Sequence, residues 1–296
     1  MLLNCQFLSH RKKCNTSIYR LAYGRKCKLG PCPLLRQMCN DETRRLLVGN
    51  IHVVFRPSRG DVKLGQVRFL SSKAHSLSEK WGNVPVVLAG DFNCTPNSPI
   101  YKFLSTSKLN VMLHDRRELS GQKNCHPDQV FGIQRPFKNP YSLIDSFFKH
   151  SWTNTELKNA TGDAEMEVAV HPLKLRSTYT MLKGSDSTRD SSCEPLATSY
   201  HSKFIGTVDY LWFTDGVVPT KVLDTVPIGA LRKIGGLPSK APYTSLVTDP
   251  LPAFKKICHI TRFKKICLLF YSIIIFSMVA GSGYDHLTLV AEFAFT

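Results

Sequence analysis

A layered α/β domain is the fold class that the order of elements predicts, and three stretches carry the prediction. Residues 46–55, LLVGNIHVVF, are apolar and β-branched, the apolar residues after them fall three and four apart, and a second apolar run, VPVVLA at 84–89, follows. Strand, helix and strand, with more strands toward the C-terminus, is the order of sheets covered by helices. A 296-residue chain that is 43% hydrophobic can bury a core, so disorder is not expected.

Residues 1–45 are basic and aperiodic, with Gly30-Pro31 and Pro33 breaking any helix, and read as a tail outside the domain of 46–296. After the strand ending near Phe55 and a turn at 57–61, Leu64, Val67, Leu70, Ala74, Leu77 and Trp81 mark one helical face. Gly82-Asn83 ends that helix, and the strand at 84–89 is apolar throughout, as a strand buried between layers is. Ser98-Pro99 reads as an N-cap with proline at the first helical position, opening a short helix through Leu104. From about 121 to 201 the chain is polar, and 182–195, LKGSDSTRDSSCEP, reads as an exposed loop. GTVDYLWFT at 206–214 alternates, with Val208, Tyr210 and Trp212 on one side and Asp209, Leu211 and Phe213 on the other. HLTLVAEFAF at 286–295 is the last strand, with Leu287, Leu289, Ala291, Phe293 and Phe295 on one face. Residues 241–282 fit none of this: a basic stretch precedes about 15 apolar residues, short of the ~20 that span a bilayer. An inserted segment outside the domain is the leading reading, with a buried element and a weak membrane anchor as alternatives.

Thirty-nine Lys and Arg against 22 Asp and Glu leave a net charge of +17, which favours a polyanionic partner, nucleic acid or a lipid surface. Five of the ten cysteines fall in the first 39 residues without CxxC pairs, where a zinc site is a minor alternative, and the other five are scattered, which suits free thiols in a reducing compartment. The N-terminal apolar residues precede a basic cluster, the reverse of a secretory signal, so an intracellular protein of the cytoplasm or nucleus is expected.

Four short motifs bear chemistry. GDFN places Asp91 and Asn93 two apart at a strand end, where both side chains point one way. Such hard oxygens suit Mg²⁺ or an attacking water, and equally suit a plain turn. Asn50 and His52 lie two apart on another strand, Asp209 lies in VDY, and Asp285-His286 opens the last strand. Each alone reads as a cap, a turn or a packed residue.

Together and in this order, NxH, GDxN, VDY and DH resemble the signature of the endonuclease/exonuclease/phosphatase superfamily. Within it HVVFRPSRGDVKLGQVRFL, GNVPVVLAGDFNCTPNSPIYKFL, EPLATSYHSKFIGTVDYLWFT and DTVPIGALRKIGGLPSK are similar to plant poly(A)-specific exoribonucleases of the carbon catabolite repressor 4 type. The resemblance implies a four-layer α/β/β/α sandwich and Mg²⁺-dependent 3′ to 5′ hydrolysis of single-stranded poly(A), with release of 5′-AMP. It further implies that Asp91 orients or deprotonates water and that Asn93 meets the phosphate or metal. His286 would stabilise the developing charge while Asp209 orients it, Asp285 would lie on the metal side, and His52 near the phosphate. Pro57 and Phe204 match positions suited to holding an adenine, or are simply a turn residue and a strand-start anchor.

Two departures qualify the resemblance. The family's early strand with a metal-binding Glu has no counterpart before Leu46, Glu42 being a poor substitute, so an incomplete sandwich is expected, N-terminally truncated. About 40 residues also separate GLPSK from Asp285, and Gly283-Tyr284 stands where the family has Gly-Ser, as a translated intron would leave it. A chain that binds RNA without cleaving it, or a related phosphatase or nuclease, is the alternative. The sequence shows no leucine-rich repeats, so the choice of partner, a deadenylase complex included, is open.

Overall fold

The computed structural model describes residues 18–20, 34–39, 45–133, 152–237, 265–270 and 285–296. A six-stranded sheet runs in the order β1 (Ile18–Arg20), β2 (Leu34–Cys39), β3 (Arg45–His52), β4 (Val86–Asp91), β10 (Asp209–Phe213) and β7 (Arg176–Ser177). Between β3 and β4 lies α1 (Gly60–Lys80), which makes the two strands parallel. β10 runs antiparallel to β4. The chain continues from β4 through α2 (Pro99–Thr106), β5 (Lys108–Asn110), α3 (Pro127–Val130), α4 (Asn154–Thr161) and β6 (Val168–Val170), with β5 and β6 forming their own pair. A hairpin of β8 (Ser199–His201) and β9 (Phe204–Gly206) leads into β10. β11 (Val217–Val222), α5 (Ile228–Ile234), β12 (Lys265–Phe270) and β13 (Leu289–Phe295) follow, and β11-β13-β12 is a second, three-stranded sheet.

The strand period of two decides which residues meet which layer. Leu47, Ile51, Val86, Leu88, Tyr210 and Trp212 face α1, whose Leu64, Val67, Leu70 and Ala74 are buried against them, with Leu77 and Trp81 packed at the margin. Leu46, Val48, Val87, Ala89, Leu211 and Phe213 face the other way, onto Leu289, Ala291 and Phe293 of β13. Each fully buried chain of this size contributes on the order of 1.5–3 kcal/mol, so the two faces together form the main core. The described residues therefore supply helix, sheet and sheet of an α/β/β/α arrangement.

Local signals account for the element ends. Ser98 Oγ accepts from Tyr101 N at 3.2 Å with Pro99 at the first helical position, and the helix runs to Thr106 rather than Leu104. Thr153 and Glu156 close a reciprocal capping box on α4, and Gly162 ends it in the left-handed region. Asn83, φ 59°, follows Gly82, φ 89°, after α1.

Four expectations need correction. Residues 1–45 contribute β2, which pairs with β3 over six residues, and β1 beyond it; basic composition hid a strand with apolar Leu34, Leu35 and Met38. Six residues of the 241–282 segment form β12, paired with β13; its other residues lie outside the described ones. Among the described residues no helix is long and apolar enough to cross a membrane. The 182–195 stretch is not uniformly exposed, because Thr188, Arg189 and Glu194 are buried. Its buried arginine is met from outside the stretch: Arg189 Nε donates to Asp224 Oδ1 at 2.6 Å, and its guanidinium lies 4.3 Å from the centre of the Tyr179 ring. Last, Leu287 leaves the face of Leu289 and packs with Ala197, Tyr200 and Leu231.

Buried Glu194 makes a pH prediction. Burial, despite the hydrogen bond from Tyr101 Oη at 2.8 Å, raises its carboxyl from an ordinary 4.5 to about 7. The folded chain then holds a proton that the unfolded chain releases near 4.5, so stability is full below that pH and falls as pH rises to about 7. Glu194→Gln is expected to flatten this fall, by on the order of 2 kcal/mol at pH 8 relative to pH 4.5. Urea titrations of both chains across that window check it; parallel curves refute it.

Candidate active site

Strand register assembles the site. His52 is paired with Asp91 across β3 and β4, and Asp91 with Asp209 across β4 and β10, so the three stand in one row at one sheet end. They continue the parity of Val48, Ala89 and Leu211, which puts them where the apolar seam between the two sheets gives way to polar groups. Gly90 permits this close pairing: with φ at 130°, its missing Cβ would stand 2.0 Å from Ile51 O. The second sheet supplies the fourth residue, because His286 precedes β13 and is bridged to Ser199.

Asp91 and Asn93 form one unit. Asp91 Oδ1 accepts from Asn93 N at 2.8 Å and Oδ2 from Asn93 Nδ2 at 2.9 Å, while Nδ2 also donates to Val53 O at 2.8 Å. Asn93 adopts φ 48°, the left-handed turn that asparagine tolerates, so turn chemistry and site chemistry coincide. His52 Nε2 lies 3.3 Å from Asp91 Oδ2. Burial first, then Asp209's charge, raises the Asp91 carboxyl to about 7.

His286 Nδ1 meets Asp209 Oδ2 at 2.8 Å, with both side chains largely buried. Burial alone would lower this imidazole, but the Asp209 carboxylate, by charge and hydrogen bond, raises it to about 10, with Asp91 and Asp285 adding to the effect. It is therefore an imidazolium at neutral pH, with Nε2 free to face a substrate and 3.7 Å from Asp285 Oδ1. Burial, then the His286 charge, lowers the His52 imidazole, so His52 is the neutral ring of the two.

The structure brings together His52, Asp91, Asn93, Asp209, Asp285 and His286. Pro57 is exposed in the loop after β3, and its carbonyl accepts from Ser120 Oγ at 3.4 Å. Phe204 is nearly enclosed, its ring stacked on His201 with centroids 6.0 Å apart, so an adenine reaches it only where that cover is shed. Arg56 beside Pro57 and Lys203 beside Phe204 are exposed.

Two contributors escaped the sequence reading. Lys63 on α1 is fully buried, with Nζ 2.7 Å from Asn93 O and 2.8 Å from Gln122 Oε1. Its signal was a lysine four residues before Val67 on the apolar face of the helix. Thr198 Oγ1 accepts from both Val208 N and Asp209 N, at 3.0 and 3.1 Å, fixing the start of β10. Nothing in ATSY marks it.

Among the described residues no three His, Cys, Asp or Glu side chains converge as a metal cage. Magnesium seldom uses one: it takes one or two carboxylates and fills its shell with water and phosphate. Asp91, buried beside Asp209, fits that habit, together with Asn93 Oδ1 and Asp285.

Sequence comparison places these residues among relatives. The chain is 54% identical over 216 residues to carbon catabolite repressor protein 4 homolog 3 of Arabidopsis thaliana, covering 73% of this chain and 48% of that one. It is 48% identical over 219 residues to homolog 5 of the same plant, covering 72% and 47%. The chain thus spans about half the length of the curated relatives it matches. No family model matches. The crystal structure of ANGEL2, a 2′,3′-cyclic phosphatase, superposes with a TM-score of 0.56 at 22% identity, covering 94% of this chain and 66% of that one. The paired sheets are thus those of the endonuclease/exonuclease/phosphatase fold, and by sequence the chain is a homologue, over about half of their length, of the carbon catabolite repressor 4 homologues of Arabidopsis thaliana.

Proposed function

We propose that the chain is a Mg²⁺-dependent 3′ to 5′ exoribonuclease that shortens poly(A) and releases 5′-AMP. The observation that carries the reading is the row of His52, Asp91 and Asp209, with His286 hydrogen-bonded at its Asp209 end. An acceptor for the proton of water and a cation for developing phosphate charge then border one site. Asp91 orients the water and takes its proton. As the water oxygen bonds to phosphorus and the bond from phosphorus to the 3′ oxygen of the preceding nucleotide breaks, the negative charge gathers near His286 Nε2. Asp209 accepts from Nδ1 and keeps the ring charged, so that Nε2, protonated as well, faces the phosphate as a donor. Asn93 Oδ1 and His52 border the same space. Asp91, Asn93 and Asp285 would hold Mg²⁺, which when bound would neutralise charge on the phosphoryl oxygens.

Preference for adenine rests on Pro57 and Phe204 as flanking surfaces, because phosphate contacts carry no base information. Exposed Arg56 and Lys203 are placed to meet the strand's phosphates, and the +17 net charge favours its capture. Action in the cytoplasm or nucleus, alone or within a deadenylase complex, follows from that substrate.

The test uses RNA ending in oligo(A), with Mg²⁺ or EDTA, beside Asp91→Ala. Mg²⁺-dependent release of 5′-AMP, lost by at least about 10³-fold in the variant, is expected. Hydrolysis of a 2′,3′-cyclic phosphate end with no shortening would reassign the substrate. Binding without any hydrolysis would make the chain an RNA-binding protein.

A further inference from the structure

We infer that Lys63 is a positioning residue, which holds the backbone of Asn93 directly and its side-chain amide through Gln122, so that Asn93 Oδ1 faces the phosphate. The inference rests on the reading of the site as a phosphodiesterase, and its geometry is independent of that reading. Both protons of Asn93 Nδ2 are committed, to Asp91 Oδ2 and Val53 O, which turns Oδ1 the other way. The nearest donor to Oδ1 among the described hydrogen bonds is Gln122 Nε2 at 3.5 Å, a long and weak contact that orients Oδ1 and leaves its other lone pair open. Gln122 is itself oriented, because its Oε1 accepts from Lys63 Nζ at 2.8 Å, which forces its amide nitrogen toward Asn93. The same ammonium bonds the Asn93 carbonyl at 2.7 Å. One buried cation thus bonds the turn directly at the Asn93 carbonyl and reaches its side chain through Gln122, at a residue with left-handed backbone.

A buried ammonium is costly unless its protons are bonded, and an aliphatic chain would fill the same space beneath α1. The relay supplies a reason for the charge, and its cation also lies among the groups acting on Asp91.

Lys63→Met, with Gln122→Leu at the partly exposed end of the relay, tests the inference. The readouts are the side-chain amide resonances of Asn93 and the kcat and KM on oligo(A) RNA. The expected result is a shift or broadening of the Asn93 amide in Gln122→Leu, with other asparagines unchanged. Lys63→Met is expected to lower kcat on the order of 10–100-fold at unchanged KM, and less than about threefold further in an Asn93→Ala background. Unmoved Asn93 resonances in Gln122→Leu, or losses that multiply in the double variant, overturn it. Should Lys63→Met not fold, the Gln122→Leu spectrum decides. A wild-type chain that leaves RNA intact overturns the proposed function, while the resonances still decide the role of Lys63.

Discussion

Asp209→Asn is expected to leave the fold intact and to lower turnover by on the order of 10³–10⁴-fold, with little change in KM. The substitution is isosteric and sits at the start of β10, where Thr198 Oγ1 holds the backbone whichever side chain is present. What changes is the partner of His286 Nδ1. A carboxylate only accepts, so it fixes the proton on Nδ1 and raises the ring to about 10. An amide carries no charge to hold the imidazolium, so the ring that faces the phosphate loses the positive charge that answers the developing negative one. Burial, the largest influence on this ring, then lowers it unopposed by that neighbour. Steady-state kinetics beside circular dichroism check the prediction. A loss below about tenfold in a folded variant would mean that the pair only packs the seam.

Gly90→Ala is expected to cost on the order of 3–5 kcal/mol and to abolish activity in whatever remains folded. The added Cβ would meet a backbone carbonyl, Ile51 O at 2.0 Å, which no side-chain rotation relieves. Relief requires β4 to move off β3, and the residue carried with it is Asp91. Gly82→Ala is the control: its φ of 89° is also positive, but nothing lies within 4 Å, so about 1–2 kcal/mol of backbone strain is all that it adds. Urea unfolding of both variants separates collision from strain. Equal losses would refute the collision.

Where a layer imposes a period, the fold was legible. Leu64, Val67, Leu70 and Ala74 announced α1 because one helix face must be apolar, and the alternation of Tyr210 and Trp212 with Leu211 and Phe213 announced a strand buried on both sides. GDFN was legible for a related reason: Asp91 and Asn93 need the spacing that lets one cap the other. The residues that escaped lack such a period. β12 and β2 hide in basic stretches, since pairing is set by backbone and a partner far along the chain. Arg189 and Glu194 hide because burial of polar groups depends on Asp224, Tyr179 and Tyr101, which no local pattern connects. Leu287 left its predicted face because the chain has not yet joined the β13 ladder there.

The Asp209–His286 pair joins residues 77 positions apart. At a synthesis rate of about 5–20 residues per second, His286 emerges from the ribosome roughly 4–15 s after Asp209. During that interval a nascent chain already carries the first sheet, Asp91 and the basic loops, yet lacks the cation of the site.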